Sequence, residues 1–339
     1  MHAPQVAVGS LGGTIAMTPA SPSATSSDPR SSGAVVPTLG AADLLAAVPA
    51  LAEVAALTAT DVRTMPGASL AEDDLREALV WARTQVDAGA DGIVLTQGTD
   101  TLEETAYLLD LWWDREAPLV LTGAMRSAAV PGADGPANVL AAVRTAAAPN
   151  ARDRGVLVVL DDRVHAASRV RKSHATATDA FTSPDTGPLG RVHEGRVLLR
   201  PSRRHPTLPL PAHTARVALL ETHLGDDGTL LRAVAEQAYD AVVLAAYGVG
   251  HVSADVAEVV GEVQARIPVV VASRTGAGST ARATYGFPGS ETDLARRGAL
   301  LAGWLDPRKA RVLTWAVLSY TSTPDRLARE LAARGEEPM

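Results

Sequence analysis

The stretch Gly92-Ile93-Val94-Leu95-Thr96-Gln97-Gly98-Thr99-Asp100-Thr101-Leu102-Glu103-Glu104-Thr105-Ala106 decides the fold class. Its first residues are apolar and β-branched without polar alternation, which suits a strand buried on both faces of a parallel sheet. A Gly-Thr-Asp turn follows, and then helical spacing begins. Leu102, Thr105, Ala106, Leu109 and Trp113 would line one buried side. Glu103 and Glu104 fall in the first turn of that helix, where carboxylates complement the positive end of its dipole. The unit recurs along the chain. The run from Gln5 to Val8 leads into Gly9-Ser10-Leu11-Gly12-Gly13-Thr14, and Leu119-Val120-Leu121 leads into Thr122-Gly123-Ala124-Met125-Arg126. Residues 156–160, Val242-Val243-Leu244-Ala245 and Val269-Val270-Val271 repeat the apolar run, while Leu75, Leu79, Ala82 and Val86 predict a further helix. This alternation predicts an α/β fold with a mainly parallel sheet flanked by helices.

At 339 residues the chain exceeds the usual size of one hydrophobic core, so two domains are expected. A composition of 46% hydrophobic and 20% charged residues is that of an ordinary globular protein and argues against a disordered chain. A formal charge of −7 gives no electrostatic reason to expect nucleic acid as a partner. The absence of cysteine excludes disulfides, thiolate nucleophiles and cysteine metal sites. The N-terminus enters Val6-Ala7-Val8-Gly9 without a basic segment and long apolar run, so neither a secretory signal nor a membrane span is read, and the cytoplasm is the simplest address. Two stretches interrupt the pattern. Residues 17–37 are rich in Ser, Pro, Ala and Thr and read as a mobile lid or disordered insert. Residues 200–213 carry Pro201, Pro206, Pro209 and Pro211 among basic residues, as a linker would. The expected organisation is a domain over 1–200, a linker over 201–213 and a second domain over 214–339.

Ligands of open parallel sheets collect beyond the carboxyl ends of the strands. Three such ends carry dense Thr, Gly and Asp chemistry: Thr14, Thr99-Asp100 and Ala124-Met125-Arg126. A threonine hydroxyl is a poor nucleophile until a base or hydrogen-bond relay removes its proton. Lys172 would serve as that base if burial left its ammonium ready to lose a proton, with Asp100 as its partner. Read singly these residues are ordinary, because Thr and Asp cap helices and most lysines are solvated. The pair Gly12-Gly13 would let main-chain N–H donors meet a substrate carbonyl oxygen. A dinucleotide turn competes for the same glycines, but the G-x-G-x-x-G spacing is missing and no P-loop occurs. No G-x-S-x-G elbow supports a serine hydrolase. The eight histidines are dispersed without H-E-x-x-H, so no metal site is predicted. His251 reads equally as a pocket or a structural residue, and Tyr107, Trp112 and Trp113 read as core or interface.

Gly12-Gly13-Thr14-Ile15-Ala16 resembles the first signature of bacterial L-asparaginases, and Gly98-Thr99-Asp100-Thr101-Leu102-Glu103-Glu104-Thr105-Ala106 resembles the second. Thr122-Gly123-Ala124-Met125-Arg126 and Ala133-Asp134-Gly135-Pro136-Ala137-Asn138 follow in the family order, then Lys172 and Asp179-Ala180-Phe181-Thr182-Ser183-Pro184. Gly187-Pro188-Leu189-Gly190, Tyr285-Gly286-Phe287 and Lys309-Ala310-Arg311-Val312 extend the likeness over nearly the whole chain. The resemblance implies a larger N-terminal and a smaller C-terminal α/β domain, assembled as a dimer or a tetramer of close dimers. It implies hydrolysis of L-asparagine to aspartate and ammonia without metal or cofactor. Thr14 would be the nucleophile that forms an acyl-enzyme, with Thr99, Asp100 and Lys172 as the second cluster. Asp100 would also hold the substrate's α-ammonium, the Ala124 carbonyl would accept from the amide nitrogen, and Gly13 would stand among the substrate contacts. Glu291 is the candidate for the acid that a neighbouring subunit contributes.

Three departures from the family's pattern stand out. No tyrosine occurs in residues 17–37, where the family places one beside the first threonine. A lid serine or threonine, or Tyr285, are the candidates to activate Thr14 instead. Gly67-Ala68-Ser69 stands where the family often has Gly-Ser-Gln, making Ser69 the expected ligand of the α-carboxylate. Gln97 replaces a frequent histidine and is expected to position rather than react. Two further readings remain: an enzyme of mixed glutaminase and asparaginase specificity, and an amino-acid-binding protein with a degenerate site.

Overall fold

A computed structural model describes residues 3–13, 17–19, 35–37, 40–202, 204–321 and 323–336. The chain divides into two compact units, residues 1–204 and 205–339. Unit 1 contains strands β1 (Gln5–Ser10), β2 (Met17–Pro19), β3 (Val35–Pro37), β4 (Ala56–Asp61), β5 (Gly92–Thr96) and β6 (Leu119–Thr122). It continues with β7 (Val156–Leu160), β8 (Arg163–Ala166), β9 (Arg171–Lys172), β10 (Phe181–Thr182), β11 (Gly190–His193) and β12 (Arg196–Leu199). Its helices are α1 (Ala41–Ala46), α2 (Glu72–Asp87), α3 (Leu102–Trp112) and α4 (Gly135–Ala146). Unit 2 holds β13 (Val217–Glu221), β14 (Ala241–Ala246), β15 (Val269–Ser273) and β16 (Leu300–Leu301). Around them stand α5 (Thr229–Glu236), α6 (Ala254–Gln264), α7 (Glu291–Arg296), α8 (Pro307–Leu318) and α9 (Pro324–Arg334).

The larger sheet runs β12-β11-β8-β7-β6-β5-β1-β4. The five strands from β4 to β7 are parallel, and β8, β11 and β12 extend the sheet antiparallel. β5, β6 and β7 are buried along their whole length, as continuous apolar runs between two helical layers must be. Register levels the strand ends: Ser10 pairs with Thr96, and Thr96 with Thr122. The ladder runs one step further, because Leu11 N–H donates to Thr96 O at 2.8 Å and Gln97 N–H to Thr122 O at 2.9 Å. Loops from β1, β5 and β6 therefore emerge side by side at one edge. The second sheet is a four-stranded parallel array in sequence order, β13-β14-β15-β16. The two-domain α/β class, larger unit first, matches the expectation.

Leu102, Thr105, Ala106, Leu109 and Trp113 are all buried, as the helical spacing required, and Trp113 Nε1 donates to Ala117 O at 2.9 Å. Burial of α3 goes beyond one side, since Glu103, Tyr107, Leu108, Leu111 and Trp112 are buried as well. The stretch expected as a mobile or disordered insert has ordered ends: β2 pairs antiparallel with β3, Met17 opposite Pro37. Residues 20–34 lie outside the described residues. Among the described residues no helix is long and apolar enough to cross a membrane.

Candidate active site

The site forms where three glycines bring loop backbones into contact. Gly12 and Gly13 follow β1 with φ of 90° and 94°, a region that side chains with a Cβ rarely adopt. A Cβ on Gly13 would lie 2.0 Å from Gly98 N, and one on Gly67 would lie 2.9 Å from Gly98 O. Neither position admits any other residue without displacing backbone. Gly13 directly precedes Thr14 in the chain, and Gly98 directly precedes Thr99, so the main chain beside the two expected hydroxyls is packed together. Thr14 itself lies outside the described residues.

Thr99, Asp100 and Lys172 are brought together across 73 residues of unit 1. Lys172 Nζ donates to Thr99 Oγ1 at 3.0 Å and stands 3.6 Å from Asp100 Oδ1. Thr99 is 5% exposed. The acid–amine pair is not sealed, however, since the side chains of Lys172 and Asp100 keep 18% and 62% exposure. The burial on which the sequence reading made the part of Lys172 conditional is thus only partial. Asp100 lies in the turn before α3, at the open edge of the sheet, where water reaches it. A free face on the carboxylate is what a partner ammonium from a ligand needs.

Lys172 is held in place by a residue the sequence reading had assigned only to the helix dipole. Glu103 is buried in the first turn of α3, and its Oε2 accepts Lys172 N–H at 2.8 Å. A carboxylate on the core face of a helix requires such a partner, and that is the signal by which Glu103 could have been singled out. Phe181 pairs with Lys172 across the short β9–β10 ladder and fixes it from the other side.

The remaining expected contacts sit around this cluster. Ala124 is buried in the loop after β6. That loop is clamped by Asp134, whose two oxygens accept Met125 N–H and Arg126 N–H at 2.9 Å each. Asn138 completes the clamp, donating to Gly123 O at 2.9 Å while accepting Asp161 N–H at 3.0 Å. The segment from Ala133 to Asn138 is therefore scaffolding for the Ala124 loop. Ser69 ends the tight turn Gly67–Ser69 after β4, exposed and without a side-chain hydrogen bond among the described residues. Gln97 is buried, and its amide donates to Thr101 Oγ1 and Thr105 Oγ1 at 3.0 Å each. It touches neither Thr99 Oγ1 nor Asp100 through any of these bonds.

Glu291, the candidate acid for a neighbouring subunit's site, is bonded within its own unit. It opens α7 in unit 2 with 0% exposure. Its Oε1 accepts Thr284 N–H and Tyr285 N–H at 2.6 and 2.7 Å, and Oε2 lies 3.2 Å from His251 Nε2. Burial pushes its carboxyl pKa up, but the amides of Tyr285, Thr284 and Glu291 itself, with His251, outweigh that and hold it below the usual range. The carboxylate serves its own unit by pinning the 284–285 turn, with both oxygens bonded. Tyr285 and Phe287, partly exposed, pack edge-on against the His251 ring at 4.8 and 5.0 Å. Lys309 is likewise internal, buried at the start of α8 with Nζ 3.1 Å from the capping Asp306. Among the described residues no three His, Asp or Glu side chains gather as a metal site would need.

Comparison with known proteins accords with this geometry. Residues 5–204 match the family described as Asparaginase, N-terminal, and residues 216–331 match the Glutaminase/Asparaginase C-terminal domain. L-asparaginase 2 of Escherichia coli is 32% identical over 333 residues, covering 96% of this chain and 91% of the relative. A glutaminase-asparaginase of Pseudomonas fluorescens is 31% identical over 300 residues, covering 86% and 81%. A crystal structure described as a probable cytoplasmic L-asparaginase from Campylobacter jejuni superposes with a TM-score of 0.83 at 29% identity, covering 97% of this chain and 99% of that one. With both family domains matched in order and the Thr99–Lys172–Asp100 cluster assembled at the sheet edge, the chain belongs to the asparaginase family.

Proposed function

We propose that the strand-end cluster of unit 1 hydrolyses L-asparagine to L-aspartate and ammonia through a threonine ester. The observation that carries this reading is the contact of Lys172 Nζ with Thr99 Oγ1 at 3.0 Å, beside the packed Gly13–Gly98 backbone. Thr14 Oγ attacks the side-chain amide carbon, its proton passes to the leaving nitrogen, and ammonia departs from an aspartyl ester. Thr99, Lys172 and Asp100 then relay a proton from water, whose oxygen adds to the ester and regenerates the Thr14 hydroxyl. Main-chain N–H groups around Gly13 stabilise the developing oxyanion. Ala124 O accepts from the amide nitrogen, Asp100 takes the α-ammonium, and the Ser69 hydroxyl receives the α-carboxylate.

Ammonia release from L-asparagine by Thr14→Ala and Thr99→Ala tests the mechanism. Each variant should remain folded and lose about three orders of magnitude in kcat/KM. Full activity in both would refute it. A second reading, mixed action on asparagine and glutamine, is supported by the Pseudomonas relative's glutaminase-asparaginase name. One methylene changes discrimination by only about 1–3 kcal/mol, so the ratio of kcat/KM for the two amides decides between them. A cytoplasmic location, assembly as a dimer or tetramer, and a linker over residues 201–213 complete the reading; light scattering tests the assembly.

A further inference from the structure

We infer that Gln97 and Thr101 are positioning residues that set how long an amino-acid amide the site accepts. This inference rests on the amide-hydrolase reading above. Thr101 stands at the N-cap of α3, a place where a threonine hydroxyl usually accepts from the helix's own first amides. Here it makes no such cap bond. It donates instead to Gly67 O at 2.8 Å, across to the turn that carries Ser69. Its single proton is thereby committed, so toward Gln97 it can only accept, and the Gln97 amide must present its nitrogen. The result is a directed chain: Gln97 Nε2 to Thr101 Oγ1 at 3.0 Å, and Thr101 Oγ1 to Gly67 O.

The chain ties together the two ends of the substrate. Ser69, two residues beyond Gly67, is the proposed α-carboxylate ligand, and Thr99, two residues before Thr101, faces the reacting amide. Gly67 and Gly98 already touch, with a Cβ on Gly98 falling 2.9 Å from Gly67 N. That contact stops the turn from moving inward, and the Thr101 hydroxyl stops it from moving outward. Gln97 is sealed in the core and also anchored to Thr105 Oγ1, so the tie is fixed at its inner end. A frame held from both sides has one length. Asparagine and glutamine differ by one methylene along that length, and a rigid frame disfavours the one it does not fit.

The test is the ratio of kcat/KM for L-asparagine to that for L-glutamine, measured on the full chain. Thr101→Val removes the hydroxyl at nearly constant volume and should move the ratio toward unity by about fivefold. Thr101→Ser keeps the hydroxyl and should retain the parent ratio. Gln97→Met removes the inner anchor and should shift the ratio in the same direction as Thr101→Val; it carries the comparison if Thr101→Val fails to fold. A ratio within twofold of the parent in both Thr101→Val and Gln97→Met, with both amides still hydrolysed, overturns this inference alone. A parent chain that hydrolyses neither amide overturns the functional reading and this inference with it.

Discussion

The carboxyl ends of the two sheets are built from similar residues and used differently. In unit 2 the strand-end polar groups turn back on their own backbone. Thr222 Oγ1 donates to Ala245 O, Ser273 Oγ to Gly248 O, Thr275 Oγ1 to Ala277 O, and Arg274 Nη1 to Thr222 O. Glu291 likewise answers the amides of its own turn. In unit 1 the corresponding edge leaves groups available: among the described residues the Thr99 hydroxyl meets only the Lys172 ammonium, Asp100 faces water, and Ser69 is open. Here the loops are held by backbone contact between glycines and by side chains outside the expected reacting groups: Thr101, Glu103, Asp134 and Asn138. The difference teaches that a parallel-sheet edge becomes reactive when its loops are held by something other than its reactive side chains.

Three experiments break or sharpen that contrast. The largest effect should come from Lys172→Met, which removes the relay partner of Thr99 and should lower kcat/KM for asparagine about a thousandfold. Stability should change by less than about 1 kcal/mol, because the pair with Asp100 is solvated. A loss of stability with unchanged activity would place Lys172 on the wrong side of the comparison. The second concerns a polar group deep in unit 1, away from the strand ends. His165 is buried beside Ser183 Oγ at 2.9 Å, and burial, with the nearby Arg163 charge, lowers its pKa to about 4. The unfolded chain binds this proton near the ordinary value, so stability is complete above about pH 6.5 and falls as the pH drops toward 4, by up to about 3 kcal/mol. Denaturation midpoints from pH 7.5 to 4.5 should show this slope in the parent and a flatter one in His165→Gln. Equal slopes would deny His165 the neutral, structural part assigned to it. The third and smallest effect is that of Glu291→Gln, expected to cost about 2 kcal/mol of stability by weakening charge-assisted bonds to the 284–285 turn. Asparagine kcat should persist in the folded fraction. A drop in kcat at unchanged stability would instead place Glu291 in the site.

The parts of the fold that could be read from the chain are those whose cause is local. The run 92–96 and its counterparts are apolar throughout because both faces are covered, and helix α3 announces its buried side by spacing. The antiparallel extension β8, β11 and β12 was not foreseen. Arg163-Val164-His165-Ala166 and Gly190-Arg191-Val192-His193 are short and mixed in polarity, and only pairing with neighbours distant in sequence makes them strands. The site divides in the same way. Thr99, Asp100 and Lys172 were identified through motif likeness, whereas the supports beneath them are non-local. Glu103 meets Lys172 from 69 residues away, and Asn138 reaches back 15 residues to Gly123. No spacing rule encodes such meetings. The solvent access of Asp100 and the internal bonding of Glu291 were not legible, because a motif specifies which residue is present and not how much water reaches it.

The most direct test is a crystal structure with L-aspartate bound. The α-ammonium should lie within hydrogen-bond reach of Asp100, the side-chain carboxyl between Thr99 Oγ1 and the amides beside Gly13, and the α-carboxylate at Ser69. Aspartate seated elsewhere, with Thr99 and Lys172 untouched, would contradict the assignment of this edge as the place where the amide is broken.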